Sequence, residues 1–216
     1  MKKVIVLLVT FLMYSAVLTA EEIKESVYLK SEHNFSASLN FGLGGSETIR
    51  FTYEGKKARD EDELTITKGI AFSYSKPVTD FLMIGADGRL LFWNTESTED
   101  FESDKMIDLS PSVRLYRRFD ENFMMYIKLV AGLSVNILSD DIDESEFSYS
   151  SGLGYNLAFF SGMEFTISKD ISLLLEAGYI THDVYGKMRG HGEYEGIKVS
   201  YEEDMGQLFV NAGLSF

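Results

Sequence analysis

Gln207-Leu208-Phe209-Val210-Asn211-Ala212-Gly213-Leu214-Ser215-Phe216 closes the chain, and its period of two decides the fold class. Side chains alternate across a β-strand, so Leu208, Val210, Ala212, Leu214 and Phe216 share one face. Gln207, Asn211, Gly213 and Ser215 share the other, with Phe209 as a lone apolar intruder. Chain ends fray unless something ties them down, so a strand carried to a terminal aromatic residue implies that this end is paired. A half-apolar strand suits either a soluble core or a lipid surround. The opposite end of the chain chooses between them. Met1–Ala20 has a basic start in Lys2 and Lys3, an apolar stretch from Val4 to Met13, and a small residue before Glu21, the pattern of a secretory signal peptide. Leu18 stands where Ala20 wants a small partner, which keeps an uncleaved anchor as the alternative. The apolar stretch falls short of the ~20 residues that a spanning helix needs.

The formal net charge of −14 becomes more negative once Lys2 and Lys3 are removed. Nucleic acid is therefore excluded as a partner, because binding it requires clustered Lys and Arg. The chain has no cysteine, so an exported fold must stand without disulfides, and thiolate metal sites and thiol catalysis are absent. Nothing in the sequence implies a cofactor.

Beyond the signal, period-two segments follow one another and no sustained helical stripe occurs, so the expected class is all-β. In the first strand Phe35, Ala37, Leu39, Phe41 and Leu43 alternate with Asn34, Ser36, Ser38, Asn40, Gly42 and Gly44. In the second, Leu64, Ile66, Ile70, Phe72 and Tyr74 form an apolar face that Lys68 interrupts. Further strands are expected near Phe81–Trp93, Ile107–Tyr116, Phe123–Asn136, Gly152–Ile167, Ile171–Tyr185 and Gly206–Phe216, the last with a start near Ile197. That makes eight. Short connections at 76–80, 117–122 and 168–170 carry turn formers and alternate strictly with long polar ones near 45–63, 94–106, 137–151 and 186–204. Tight turns at one end and long loops at the other describe an antiparallel up-and-down transmembrane β-barrel. Closure satisfies every backbone group in lipid and leaves no sheet edge. The division is then a signal peptide at 1–20, an N-terminal periplasmic segment at 21–32 and a barrel at 33–216.

Leu109-Ser110-Pro111-Ser112-Val113-Arg114-Leu115-Tyr116, Phe160-Ser161-Gly162-Met163-Glu164-Phe165 and the terminal Phe216 resemble the bacterial outer-membrane β-barrel domain family, the small eight-stranded OmpA/OmpX-like proteins. The resemblance spans roughly 35–216. It implies residence in the outer membrane with both termini periplasmic, lipids and lipopolysaccharide as surroundings, and a monomeric barrel. It also implies that Leu208, Val210, Ala212, Leu214 and Phe216 resemble the signal read by the barrel assembly machinery. It marks architecture and export rather than activity.

Eight strands leave an interior that side chains roughly fill, so the lumen is expected to be a packed polar core. Parity turns Asp87, Arg89, Asp108, Arg114, Lys128, Glu164 and Glu176 inward. Counted from the short turns, Arg114, Lys128, Glu164 and Glu176 stand at one level as a ring of ion pairs. Each hairpin carries like charges, so relief must come from the neighbouring hairpin. Arg89 and Asp108 are expected to form a second pair nearer the loops, with Asp87 beside them. The ring is either a structural plug or a gate for small ions. Buried charges must be paired, which favours the plug.

Each long loop carries acids: Asp60–Glu63, then Glu96–Asp104, then Asp140, Asp141, Asp143, Glu144 and Glu146, then Glu193–Asp204. Asp140, Asp141, Asp143 and Glu144 offer weak cation sites, although the stretch lacks the central Gly and terminal Glu of an EF-hand. The same acids also suit a solvated face, or an adhesive surface for a basic extracellular or host ligand, with Tyr149, Tyr185, Tyr194 and Tyr201 supplying contact area. Of the three histidines, His182 between Thr181 and Asp183 has neighbours for lipid-modifying acyl hydrolase or transferase chemistry, but no Ser partner is fixed by sequence. Lys68 either snorkels from the lipid face or turns inward at a β-bulge. The reading is therefore a structural or adhesin-like outer-membrane barrel, not an enzyme. A narrow gated, porin-like channel is the alternative and a lipid-modifying enzyme the third.

Overall fold

The computed structural model describes residues 33–64, 67–93, 104–137 and 147–216. Segments 1–20 and 21–32 lie outside the described residues. In chain order the strands are β1 (Asn34–Tyr53), β2 (Lys56–Leu64), β3 (Lys68–Thr79), β4 (Leu82–Trp93), β5 (Asp104–Arg118), β6 (Phe123–Ile137), β7 (Phe147–Tyr149), β8 (Gly152–Ser168), β9 (Ile171–Gly190) and β10 (Lys198–Ser215). Eight of these form a closed antiparallel ring, β1-β3-β4-β5-β6-β8-β9-β10, with β10 returning to β1. β2 adds to β1, and β7 adds to β9.

Closure happens at the C-terminal strand with which the sequence ends. β1 and β10 run in register from Ser36↔Ser215 through Phe41↔Val210. Phe35 and Phe216 exchange two backbone hydrogen bonds, of 3.2 and 2.7 Å, so the last residue is part of the ladder. Leu208 and Phe216 are more than half exposed, whereas Phe209, Gln207, Asn211 and Ser215 are buried. All around the ring the outward face of the lipid-embedded part is mainly apolar, and the buried polar and charged side chains face in. A soluble barrel has the reverse arrangement, so the outward face of this one requires a lipid surround.

Two of the expected loops are mostly strand. Residues 45–53 continue β1 and pair with β2 across a two-residue turn at Glu54-Gly55, whose φ values of 47° and 79° suit a primed hairpin turn. Residues 186–190 and 198–204 likewise extend β9 and β10. The outer parts of β2, β1, β10 and β9 thus form a four-stranded sheet that continues past the apolar band. Their polar, charged composition points to loops, but long-range pairing overrides a polar local sequence.

A β-bulge sits at the base of this extension, between Gly42 and Gly45, with Gly44 at φ 68°. One extra residue reverses parity. Below it the even residues of β1 point inward; above it Glu47 does. Across the β2/β3 break the parity reverses as well, so Leu64, expected on the outward face, is buried in the lumen, while Lys68 stays outward beside exposed Ile70 and Phe72.

Candidate functional site: the filled lumen and its outer rim

The lumen is not the purely polar core expected. Leu64, Leu91, Trp93, Met106, Val130, Phe160, Ile180, Val184, Met205 and Phe209 form one buried apolar cluster inside it. Phe209, read as an intruder on the polar face, belongs to this cluster. Ion-pair networks occupy the space nearer the turns, and an acidic pair lies nearer the loops.

In the network nearer the turns, Lys128 Nζ lies 2.7 Å from Glu176 Oε1 and 3.0 Å from Asp87 Oδ1. Tyr126 OH and Asn211 Nδ2 also donate to Glu176, at 2.9 and 3.0 Å, and Ser73 Oγ donates to Asp87 at 2.7 Å. Arg114 approaches Glu164 at 3.8 Å and lies over the Tyr126 ring at 4.3 Å. Arg114 and Lys128 are direct cross-strand partners within one hairpin, and each finds its carboxylate on the β8–β9 hairpin. All of these groups are buried except Ser73, which is partly exposed. In the low-dielectric interior this arrangement fixes side-chain positions on seven of the ring's strands at once.

The second pair has a different composition from the one expected. Arg89 turns to Asp87, 3.5 Å away, and lies over the Phe160 ring at 5.0 Å. Asp108 is instead engaged by His182, whose Nε2 is 3.0 Å from Asp108 Oδ2, and by Ser134 Oγ, which donates at 2.6 Å. Ser110 and Asn156 extend this chain across the lumen. Arg89 and Asp108 are backbone register partners, but the long guanidinium reaches past its neighbour. His182 is fully committed here, 3% exposed, and cannot reach lipid from the lumen. The pairing was hidden because Asp108 and His182 are 74 residues apart in sequence.

The histidine that has a serine partner is His191, whose Nε2 lies 2.7 Å from Ser148 Oγ at the loop end. Among the described residues no carboxylate hydrogen-bonds to His191, so the pair lacks the orienting group that acyl chemistry uses. Asp140, Asp141, Asp143 and Glu144 lie outside the described residues. On the outward face of the extension, Asp183, Glu202 and Asp204 bring three carboxylate oxygens within 4.8 Å of one another. Arg50 already bridges two of them, at 2.8 Å to Glu202 and 2.5 Å to Asp204.

Sequence reasoning missed Glu47 and Glu203, which meet inside the lumen above the bulge. They are 4% and 0% exposed, and each lies diagonally across the β1–β10 ladder from the other. Asn136 Nδ2 donates to Glu203, and Asn136 Oδ1 accepts from Gly152 N at 2.6 Å and Tyr201 OH at 3.2 Å. Counted from Asn34 and Ser215, both acids lie past the roughly 9–11 residues that span the apolar layer. Burial pushes the Glu47 carboxyl up to about 7 against the opposing hydrogen bond with Glu203, with Asp104 and Asp62 adding to the rise. Burial, and then the charge of Glu47, holds Glu203 well above the ordinary carboxylate range. The signal for Glu203 was available, since odd-numbered inward positions run unbroken from Ser215 back to Tyr201. Glu47 needed the bulge that the Gly44-Gly45 pair marks.

Outward lipid-facing strands around a filled lumen define the chain as an eight-stranded β-barrel of the outer-membrane type. Among solved structures it is similar to the outer membrane protein OprG from Pseudomonas aeruginosa, with a TM-score of 0.64 at 11% identity over 85% of this chain and 93% of that one. It also matches AlkL (TM-score 0.49, 14% identity, 90% of this chain and 96% of that one) and Neisserial surface protein A (TM-score 0.45, 14% identity, 86% and 96%). The fold comparison rests on OprG. No protein-family model and no curated protein matches the chain.

Proposed function

We propose that this barrel is a surface-interaction protein of the outer membrane, with its turn end and both termini in the periplasm and its extended sheet projecting outward. The observation that carries this reading is the filled lumen. Leu91, Trp93, Met106, Phe160 and Ile180 are at most 1% exposed, and they stand in series with the Lys128 ion-pair network. A passage through the barrel would have to displace both layers. Among the described residues, the projecting β2-β1-β10-β9 sheet instead offers an exposed polar surface. There the exposed acids Glu61 and Glu63 share the outward face with the partly exposed carboxylates held by Arg50, and exposed Asp60 lies on the other face of β2. A charged, partly aromatic rim of this kind suits a basic extracellular partner, because complementary charge steers encounter and sets specificity.

The test is paired. Purified barrel is reconstituted in planar bilayers and, separately, immobilised against basic extracellular-matrix proteins at low and moderate salt. The reading expects no stable conductance steps, together with salt-sensitive binding that falls when Asp60, Glu61 and Glu63 are replaced by their amides. Stable unitary conductance without binding would overturn it in favour of a channel.

A further inference from the structure

Glu47 and Glu203 are buried lumen acids for which no ion pair is found among the described residues. Deeper in the lumen Asp87 has Lys128 and Arg89 within 4.0 Å, Glu164 has Arg114 and Glu176 has Lys128, while Asp108 meets the His182 ring. The groups facing the pair come from every strand around it. β4 contributes Trp93, β5 contributes Asp104, β2 contributes Asp62, β6 contributes Asn136 and β10 contributes Tyr201. β8 and β9 supply the uncharged Gly152 and Val184, which pack beside Asn136 and Tyr201. Arg50, the cation nearest along β1, points to the outer face and is held by Glu202 and Asp204.

The charged groups acting on the pair from outside it are thus acids. Two carboxylates buried side by side cannot both ionise, and one proton between them turns repulsion into a hydrogen bond. The hydrogen-bond inventory agrees: Glu203 Oε1 is buried and finds no donor unless the facing carboxyl carries a proton. The pair also spans the β1–β10 seam, the one place where the ring is closed by its two chain ends, and it lies just above the bulge that separates the lipid-facing seam from the projecting sheet.

We propose that Glu47 and Glu203 form a proton-binding latch across the outer part of the β1–β10 seam: one shared proton holds the projecting sheet closed, and its loss loosens β1 against β10 above Gly45. Acid outside the cell then tightens the outer rim and alkali relaxes it. The latch concerns the regulation of the surface assigned above, yet it operates whether or not that surface binds a partner.

Trp93 is the chain's single tryptophan, is 1% exposed and faces Glu47, so its emission reports on the pair. The experiment uses the full barrel reconstituted in liposomes without divalent cations, between pH 5 and 9. Infrared spectra follow the protonated carboxyl band, Trp93 emission follows the lumen, and amide exchange corrected for intrinsic rate follows residues 45–53 and 199–206. Wild type is expected to lose the carboxyl band, shift its Trp93 emission in one step, and exchange at least tenfold faster across the seam as that step is passed. Glu47→Gln and Glu203→Gln each mimic a protonated partner and should fold, lose the step and keep the seam protected at pH 9. Asp62→Asn should keep the step. Absence of a protonated carboxyl band throughout overturns the shared proton. A titrating band without any change in seam exchange overturns the latch. A step abolished by Ca²⁺ at constant pH would make the pair a cation site and overturn the proton reading. None of these readouts involves an extracellular partner, so failure of the surface-interaction reading leaves them unaffected.

Discussion

Replacing Lys128 with methionine tests whether the ion-pair network is a structural plug. Its ammonium serves two carboxylates, Glu176 at 2.7 Å and Asp87 at 3.0 Å, and both are buried. Lys128→Met preserves most of the stem volume over the Phe160 ring, where the ammonium now lies 5.1 Å from the ring centre. The variant therefore removes charge more than packing. Asp87 keeps Ser73 and the longer contact to Arg89, whereas Glu176 keeps only the neutral donors Tyr126 and Asn211. Breaking a buried pair from one side costs about 3–5 kcal/mol, and the surviving hydrogen bonds place this case near the lower end, at about 3 kcal/mol. Arg114→Met is the internal comparison. Its contact with Glu164 is 3.8 Å and that carboxylate keeps a small exposure, so the loss should be about 1–2 kcal/mol, in the range of one hydrogen bond to a charged group. Adding Glu176→Gln to Lys128→Met should recover about half the deficit, since it removes the stranded charge. Urea titration of the barrel in liposomes, read by the loss of heat-modifiable gel migration, gives each difference. If Lys128→Met costs no more than Arg114→Met, or if the double variant is weaker than the single, the plug argument is wrong.

Removing Phe216 deletes two closing hydrogen bonds and an outward aromatic group, so the amount of folded barrel in the membrane should fall several-fold while any surviving barrel keeps its lumen. Equal yields by quantitative immunoblot would count against a closure role. Gly44→Val places a β-branched residue at φ 68°, at a cost of about 1–2 kcal/mol, and should also raise exchange at Glu47. An unchanged urea midpoint would show that the bulge is not needed. Arg50→Ala removes a bridge whose three side chains are each about two-fifths exposed, so the urea midpoint should move little and the difference should vanish at high salt. As for pH, the folded Glu47 value of about 7 lies above the ordinary 4.5, so the native barrel holds a proton that the unfolded chain has released. The stabilisation is complete below about pH 4.5 and is lost as pH rises through about 7, at about 1.4 kcal/mol per unit or roughly 3 kcal/mol in all. A urea midpoint that rises over this window would reverse the sign and refute the assignment.

How far the sequence carried the fold can be judged strand by strand. Alternation located all eight ring strands because lipid outside and polar groups inside impose a strict period on each, and the terminal strand is the cleanest case. It failed where the sheet leaves the lipid. Above Gly45 the outward positions are Thr48, Arg50 and Thr52, so both faces are no longer distinguished by hydrophobicity and the stretch reads as loop. The inward charges were legible through parity, but their partners were not, because a lumen contact joins residues by barrel geometry rather than by spacing. Asp108 illustrates this: its register partner is Arg89, yet its side chain meets His182 across the barrel. Glu47 was missed because of the parity reversal at the bulge, and Leu64 was misplaced because of the reversal across the β2/β3 break.

The two kinds of lumen charge have different physical origins, and that difference bears on function. Around Lys128 the carboxylates are matched by cations, so the network is satisfied as built and gains nothing from exchanging a ligand. Its layout suits permanence: several strands share a few charge-assisted hydrogen bonds, and moving any one strand would strand a buried charge. Above the apolar cluster the acids have no such match, and a proton must supply what a side chain does not. Protons come and go with the medium, whereas lysines do not. A barrel that locks its lipid-embedded half with fixed ion pairs, and leaves a protonatable pair at the root of its projecting sheet, therefore confines its responsiveness to the outer rim.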